Sequence, residues 1–154
     1  MLPKRMLFPL FIIGMAVTIL GFMQRKEIAT SSIADLHKDP LSYDGKEIRL
    51  SGWLASGHVG VFLYAEDRKQ SVRLRSPDEV DSNLPMHAQK DKLFEEFWKL
   101  AEKGIQNPEG RVHVDLVGVV RILKVDGKPA KDFYVFGQFP VEVVTTQILK
   151  ITSK

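Results

Sequence analysis

The feature that most constrains this chain is a run with no charge at all, Met6 to Gln24, which reads MLFPLFIIGMAVTILGFMQ. As a helix it would be roughly 28 Å long, close to the hydrocarbon thickness of a bilayer. Such a run cannot share a small water-facing fold with the rest of the chain. The sequence therefore divides into residues 1–26, a membrane anchor or uncleaved signal, and one domain over residues 27–154. Lys4 and Arg5 precede the run as in an export signal, but no Ala-x-Ala-like triplet follows it closely, which favours an anchor that stays on the chain. Without any cysteine, lipoprotein acylation is excluded. The flanking cations, Lys4 and Arg5 before and Arg25 and Lys26 after with Glu27 beside them, lean towards a cytoplasmic N-terminus. The domain is then expected in the periplasm of a bacterium, on the outer side of a single-pass inner-membrane span. Within the run, Gly14 and Thr18 form a small-xxx-small pair of the kind that lets two helices approach.

Charge bears on the choice of partner. The whole chain is +3, but the four cations that flank the run account for this; residues 27–154 keep 18 Lys and Arg against 19 Asp and Glu. A nearly neutral domain has no general attraction for a phosphate backbone, so nucleic acid is not the expected partner.

Along the domain, Ser32 followed by Asp35 approximates a capping box before Ile33, Leu36 and Leu41, and predicts a short helix that ends before Pro40. Asp44-Gly45 turns the chain. Ile48, Leu50, Gly52 and Leu54 then alternate with Glu47, Arg49, Ser51 and Trp53, the two-residue period of a half-buried strand, with Gly52 marking a bulge or sharp bend. A second strand is expected over Val59 to Glu66 with Val59, Val61, Leu63 and Ala65 inward, and a third over Ser71 to Arg75 with Val72 and Leu74 inward. After an aperiodic stretch from Ser76 to Lys90 comes a helix from Asp91 to Lys103. Its apolar stripe is Leu93, Phe97, Leu100 and Ala101, it pairs Glu95 with Lys99, and it stops at Gly104. Two long strands follow. Arg111 to Val125 sets Val112, Val114, Leu116, Gly118 and Val120 on one face, Asp126-Gly127 reverses the chain, and Phe133 to Thr152 completes the set with a break at Pro140.

Three strands, a helix and two strands, with a coiled first strand, is the connectivity of a mainly β, five-stranded OB-fold-like Greek-key barrel whose helix lies between strands three and four, here behind an N-terminal transmembrane helix. The stretch IADLHKDPLSYDGKEIRLSGWL carries Tyr-x-Gly-Lys-x-Ile-x-x-x-Gly from Tyr43 to Gly52. It resembles the start of small bacterial membrane-anchored or exported OB-fold proteins, mostly uncharacterised. The resemblance covers residues 31–66 as motif and the remainder only as element order. Membrane-anchored haem chaperones of cytochrome c maturation share the anchor-plus-OB layout and hold haem through a His-x-x-x-Tyr motif. Here His37, His58, His87 and His113 are followed four residues later by Leu41, Phe62, Asp91 and Val117, so haem carriage is not expected.

No cofactor is expected, and no catalytic motif stands out: there is no Gly-x-Ser-x-Gly, no His-Glu-x-x-His, no phosphate-binding loop and no nucleophilic Cys. His113 and Asp115 share a strand face, which could begin a metal site, but the plainer reading is a polar strand edge. The candidate binding residues are Trp53 on strand one, Phe62 and Tyr64 on strand two, and Arg73 and Arg75 on strand three, all expected to point away from the core on the face that OB-folds use for ligands. The competing reading is that the Ser32 to Leu41 helix covers Trp53. Asp78, Glu79 and Asp81 followed by Leu84, Pro85 and Met86 make the Ser76 to Lys90 stretch either a docking loop or a disordered one. The expected role is a non-catalytic, membrane-tethered interaction module, an accessory, assembly or inhibitory subunit of an envelope protein complex. The alternative is an OB domain that binds oligosaccharide or single-stranded nucleic acid.

Overall fold

A computed structural model describes residues 27–80, 88–105, 112–125, 128–129 and 141–153. The charge-free run, most of the stretch between Val80 and Gln89, the Asp126-Gly127 turn and the Phe133 to Pro140 part of the expected last strand lie outside the described residues. Among the described residues no helix is long and apolar enough to cross a membrane.

In chain order the elements are β1 (Ala29–Thr30), α1 (Ile33–Lys38), a 3-10 turn (Pro40–Tyr43), β2 (Glu47–Gly57), β3 (Gly60–Tyr64), β4 (Ser71–Arg75), a second 3-10 turn (Pro77–Glu79), α2 (Lys92–Glu102), β5 (Val112–Ile122), β6 (Lys124–Val125), β7 (Lys128–Pro129) and β8 (Val141–Ser153). Among the described residues the fold is mainly β, with six strands in one sheet and two helices. Strand order in the sheet is β1-β2-β3-β4-β8-β5, and β2 also pairs with β5, so β2 to β5 and β8 close into a ring. All pairings around the ring are antiparallel except β4 with β8.

The ring closes because β2 is long and changes partner along its length. Its first half pairs with β5 from Glu47↔Val119 to Trp53↔His113, and its second half pairs with β3 from Trp53↔Tyr64 to Gly57↔Gly60. Gly52 sits at the change, and a Cβ there would fall inside contact distance of the Tyr64 carbonyl. The glycine therefore serves close strand approach, with continuous register on both sides rather than a bulge. Inside the ring every second residue of β2 is buried, namely Ile48, Leu50, Gly52, Leu54 and Ser56. Leu63, Val72, Leu74, Val114, Leu116, Val120 and Val143 fill the same core, as the period-two pattern requires.

The helices cap this core from opposite ends. In α1 the capping box forms as the sequence predicts: Ser32 Oγ accepts from the Asp35 amide and the Asp35 carboxylate accepts from the Ser32 amide. Ile33 and Leu36 enter the core, and His37 Nε2 lies 2.8 Å from the Ser71 carbonyl at the start of β4. Leu41, expected on this helix's apolar face, instead lies in the following 3-10 turn and is 53% exposed, because Pro40 ends the helical register. At the other end, α2 inserts Phe94, Phe97 and Ala101. The expected stripe of Leu93, Phe97, Leu100 and Ala101 is rotated by about one position, so that Leu93 and Leu100 pack only partly. Glu95 and Lys99 meet at 4.0 Å as expected, and Gly104 at φ +77° ends the helix. The tail of α2 is fastened to β2 through Ser56, whose amide donates to the Ile105 carbonyl and whose hydroxyl accepts from the Ile105 amide.

Two further expectations are corrected, in the start of the second strand and in the strand count. The second strand begins at Gly60, not Val59: Gly57 pairs with Gly60, so His58 and Val59 form a two-residue hairpin loop and Val59 is 67% exposed instead of inward. The first half of β8 does not alternate; Val141 to Thr146 are all buried, and the β5–β8 register shifts between Asp115 and Leu116 and between Val117 and Gly118. Finally, the sheet gains a sixth strand, because Ala29–Thr30 pairs in parallel with β2 at Ile48 and Arg49.

Candidate interaction face

Strand register fixes where the five candidate residues stand. Trp53 is paired with Tyr64 and Phe62 with Arg73, and Arg75 follows two residues after Arg73, so all five occupy the outer face of β2, β3 and β4. The sequence places them on one face, but the structure divides that face into two unlike clusters.

The first cluster lies over β4 and β8. The parallel register sets Arg73 beside Glu142, and Glu142 is buried at 6% exposure. Its carboxylate lies 3.6 Å from Arg73 and 3.9 Å from Arg75. Arg75 also reaches Glu79, at 3.3 Å from the carboxylate and with a hydrogen bond to the backbone carbonyl, although its Nε is misaligned for a hydrogen bond and stays unsatisfied. Phe62 is buried here despite pointing outward. These arginines are engaged with the protein's own carboxylates, and Phe62 is not an open stacking surface.

The second cluster lies over β2 and β5. Trp53 and His113 are register partners whose rings meet edge to face, 4.9 Å between centroids at 83°. Glu66, just beyond β3, joins them: one carboxylate oxygen is 2.7 Å from His113 Nε2, and the other accepts from Trp53 Nε1 at 3.0 Å. Arg68, in the β3–β4 turn, stands over the Trp53 ring at 5.6 Å. Two residues along β5, Asp115 accepts from the Ser51 hydroxyl at 2.6 Å and pairs with Arg49 at 3.5 Å. The Ser51 bond, against the opposing pull of burial, and then the Arg49 charge hold the Asp115 carboxyl below the usual carboxylate range. Trp53 is thus clasped by the β3–β4 turn and by β5, while α1 spends Ile33 and Leu36 on the core. His113 and Asp115 do share a strand face, with 3.8 Å between Nδ1 and the carboxylate. Among the described residues no group of three His, Cys, Asp or Glu side chains is disposed to hold a metal ion.

Glu66, Arg68 and Glu142 are the members that sequence reasoning missed. Glu142 is placed by cross-strand register, and Glu66 and Arg68 by the path of the β3–β4 turn, neither of which a local pattern in the sequence supplies.

Two shallow grooves of about 360 Å³ and 410 Å³ run beside α2 and share Glu79, Trp98 and Glu102. The Trp98 Nε1 is buried without an acceptor among the described residues. The aperiodic stretch begins in order: Ser76 caps the second 3-10 turn, Val80 is buried, and Asp78 meets Lys90 at 2.8 Å, which joins the two ends of the stretch.

No protein-family model matches the chain, and no curated protein matches it. Two solved structures are similar. A chain described as an aspartyl-tRNA synthetase from Leishmania major Friedlin shares 12% identity at a TM-score of 0.46 over 86% of this chain, which spans only 22% of that one. The OBody AM3L09, solved bound to hen egg-white lysozyme, shares 20% identity at a TM-score of 0.41, with 73% of this chain and 87% of that one covered. Likenesses of this size carry no statement about a ligand.

Proposed function

We propose that this chain is a non-catalytic, membrane-tethered interaction module: an OB-fold-like domain behind an N-terminal inner-membrane span, serving a bacterial envelope protein complex as an accessory, assembly or inhibitory subunit. The observation that carries the reading is the closeness in sequence of the charge-free run Met6 to Gln24 to a small sheet that starts at Ala29 and closes into a ring from Glu47 on. The ring's order, three strands, a helix and two strands with the third and last paired in parallel, supports the OB-type reading together with the Tyr43 to Gly52 motif. The polar side chains of the outer face are spent on one another, an arrangement suited to presenting a fixed surface. Trp53, Tyr64 and the Glu66–His113 pair are the part of that surface offered to a partner.

Affinity purification of the full chain from detergent-solubilised membranes tests the proposal. A protein partner recovered in stoichiometric amount, and lost in Trp53→Ala, is the expected result. Recovery alone, together with oligosaccharide or oligonucleotide binding that Trp53→Ala abolishes, would replace it with the ligand-binding reading. Recovery alone without such binding would remove both.

A further inference from the structure

β1 runs parallel to β2, with Ala29 level with Ile48 and Thr30 level with Arg49. The chain before Ala29 therefore reaches the ring from the end where β2 begins. That same end carries α1, the Pro40–Tyr43 turn, and the ties of Gly45 to Val120 and of Asp44 to Ile122 and Lys124. From Gln24 to Ala29 the chain can stretch at most roughly 17 Å. If Met6 to Gln24 crosses the bilayer, as the proposed function holds, this end of the ring lies within that reach of the lipid surface and the β2–β3 hairpin is the farther end.

The residue composition of that end fits such a contact. Leu41, 53% exposed in its 3-10 turn, is one of the two large apolar side chains exposed among the described residues; the other, Val59, lies at the opposite end. By chain position and β2–β5 register this end carries the cations Lys38, Lys46, Arg121 and Lys124 and the carboxylates Asp39, Asp44 and Glu47, with Lys124 paired to Asp44, a near balance with no demand for anionic lipid. We infer that the Leu41 end of the ring docks on the bilayer that holds the anchor, with Leu41 entering the headgroup boundary of zwitterionic lipid. The inference rests on the tether reading and goes beyond it by fixing which face meets the membrane and which is free for a partner.

The chain contains no cysteine, so a single introduced thiol gives a unique label. Full-length Leu41→Cys and Val59→Cys variants, each carrying a bimane fluorophore, are reconstituted into phosphatidylcholine vesicles with a doxyl quencher near the headgroups. Both sites are exposed, so neither substitution disturbs the core. Strong quenching at 41 with none at 59 is the expected result. No quenching at 41 in a chain that floats with the vesicles and resists carbonate extraction would keep the tether and overturn the docking. Quenching at 59, alone or equal to that at 41, would overturn it as well. Release of the chain by carbonate would remove the tether reading and the docking with it.

Discussion

The two clusters on the outer face of the ring use similar side chains and differ in depth. Over β4 and β8, Glu142 is buried and shared by two arginines whose side chains are 20% and 24% exposed. Over β2 and β5, Glu66 is 68% exposed and linked to His113 and Trp53 by bonds of 2.7 and 3.0 Å. A carboxylate between cations out of water is costly to remove, because the charges left behind are not rehydrated. A carboxylate at the surface is held by geometry that water can replace. The first cluster thus belongs to the buried part of the fold, and the second to its water-facing surface.

The largest expected effect comes from Glu142→Ala, which strands Arg73 and Arg75. A loss of about 2–3 kcal/mol is expected from urea unfolding, less than the roughly 3–5 kcal/mol of a fully buried broken pair because both arginines retain some access to water. An effect below about 1 kcal/mol would erase the contrast between the clusters. Trp53→Ala should cost about 1–2 kcal/mol through lost ring contact and the lost bond to Glu66, with the near-ultraviolet circular dichroism reporting the ring. A double-mutant cycle of Trp53→Ala with His113→Ala should give a coupling of about 0.5–1 kcal/mol, since the two rings meet edge to face; zero coupling would mean that Glu66 alone joins them.

The smallest effect concerns pH. The Asp115 carboxyl sits below its usual range when folded, so it favours the folded state above its ordinary value of about 3.9 and loses that contribution as pH falls through the lower folded value. Wild type and Asp115→Asn should therefore differ in stability at neutral pH and converge in acid below about pH 4. A difference that grows on acidification would reverse the assignment.

What the sequence discloses of this molecule follows from how local the cause is. β4 falls at Ser71–Arg75 and the Ser32 cap forms because alternation and capping are set by near neighbours. The α2 stripe is misjudged because Leu93 and Phe94 both fit a helical period, and only the ring decides which enters. Phe62 is read correctly as outward and incorrectly as open, since periodicity gives direction and burial depends on what crosses the face. Glu142 acquires meaning only from a parallel pairing with a residue 69 positions earlier. The two-residue β1 is too short to show a pattern at all.

Closure of the ring has a consequence for how the protein is made. β8 is hydrogen-bonded on one side to β4 and on the other to β5, so it is the stave that completes the cask. While a chain emerges N-terminus first, β2 to β4 can form only an open ribbon with a bare rim until Val141 to Ser153 arrives.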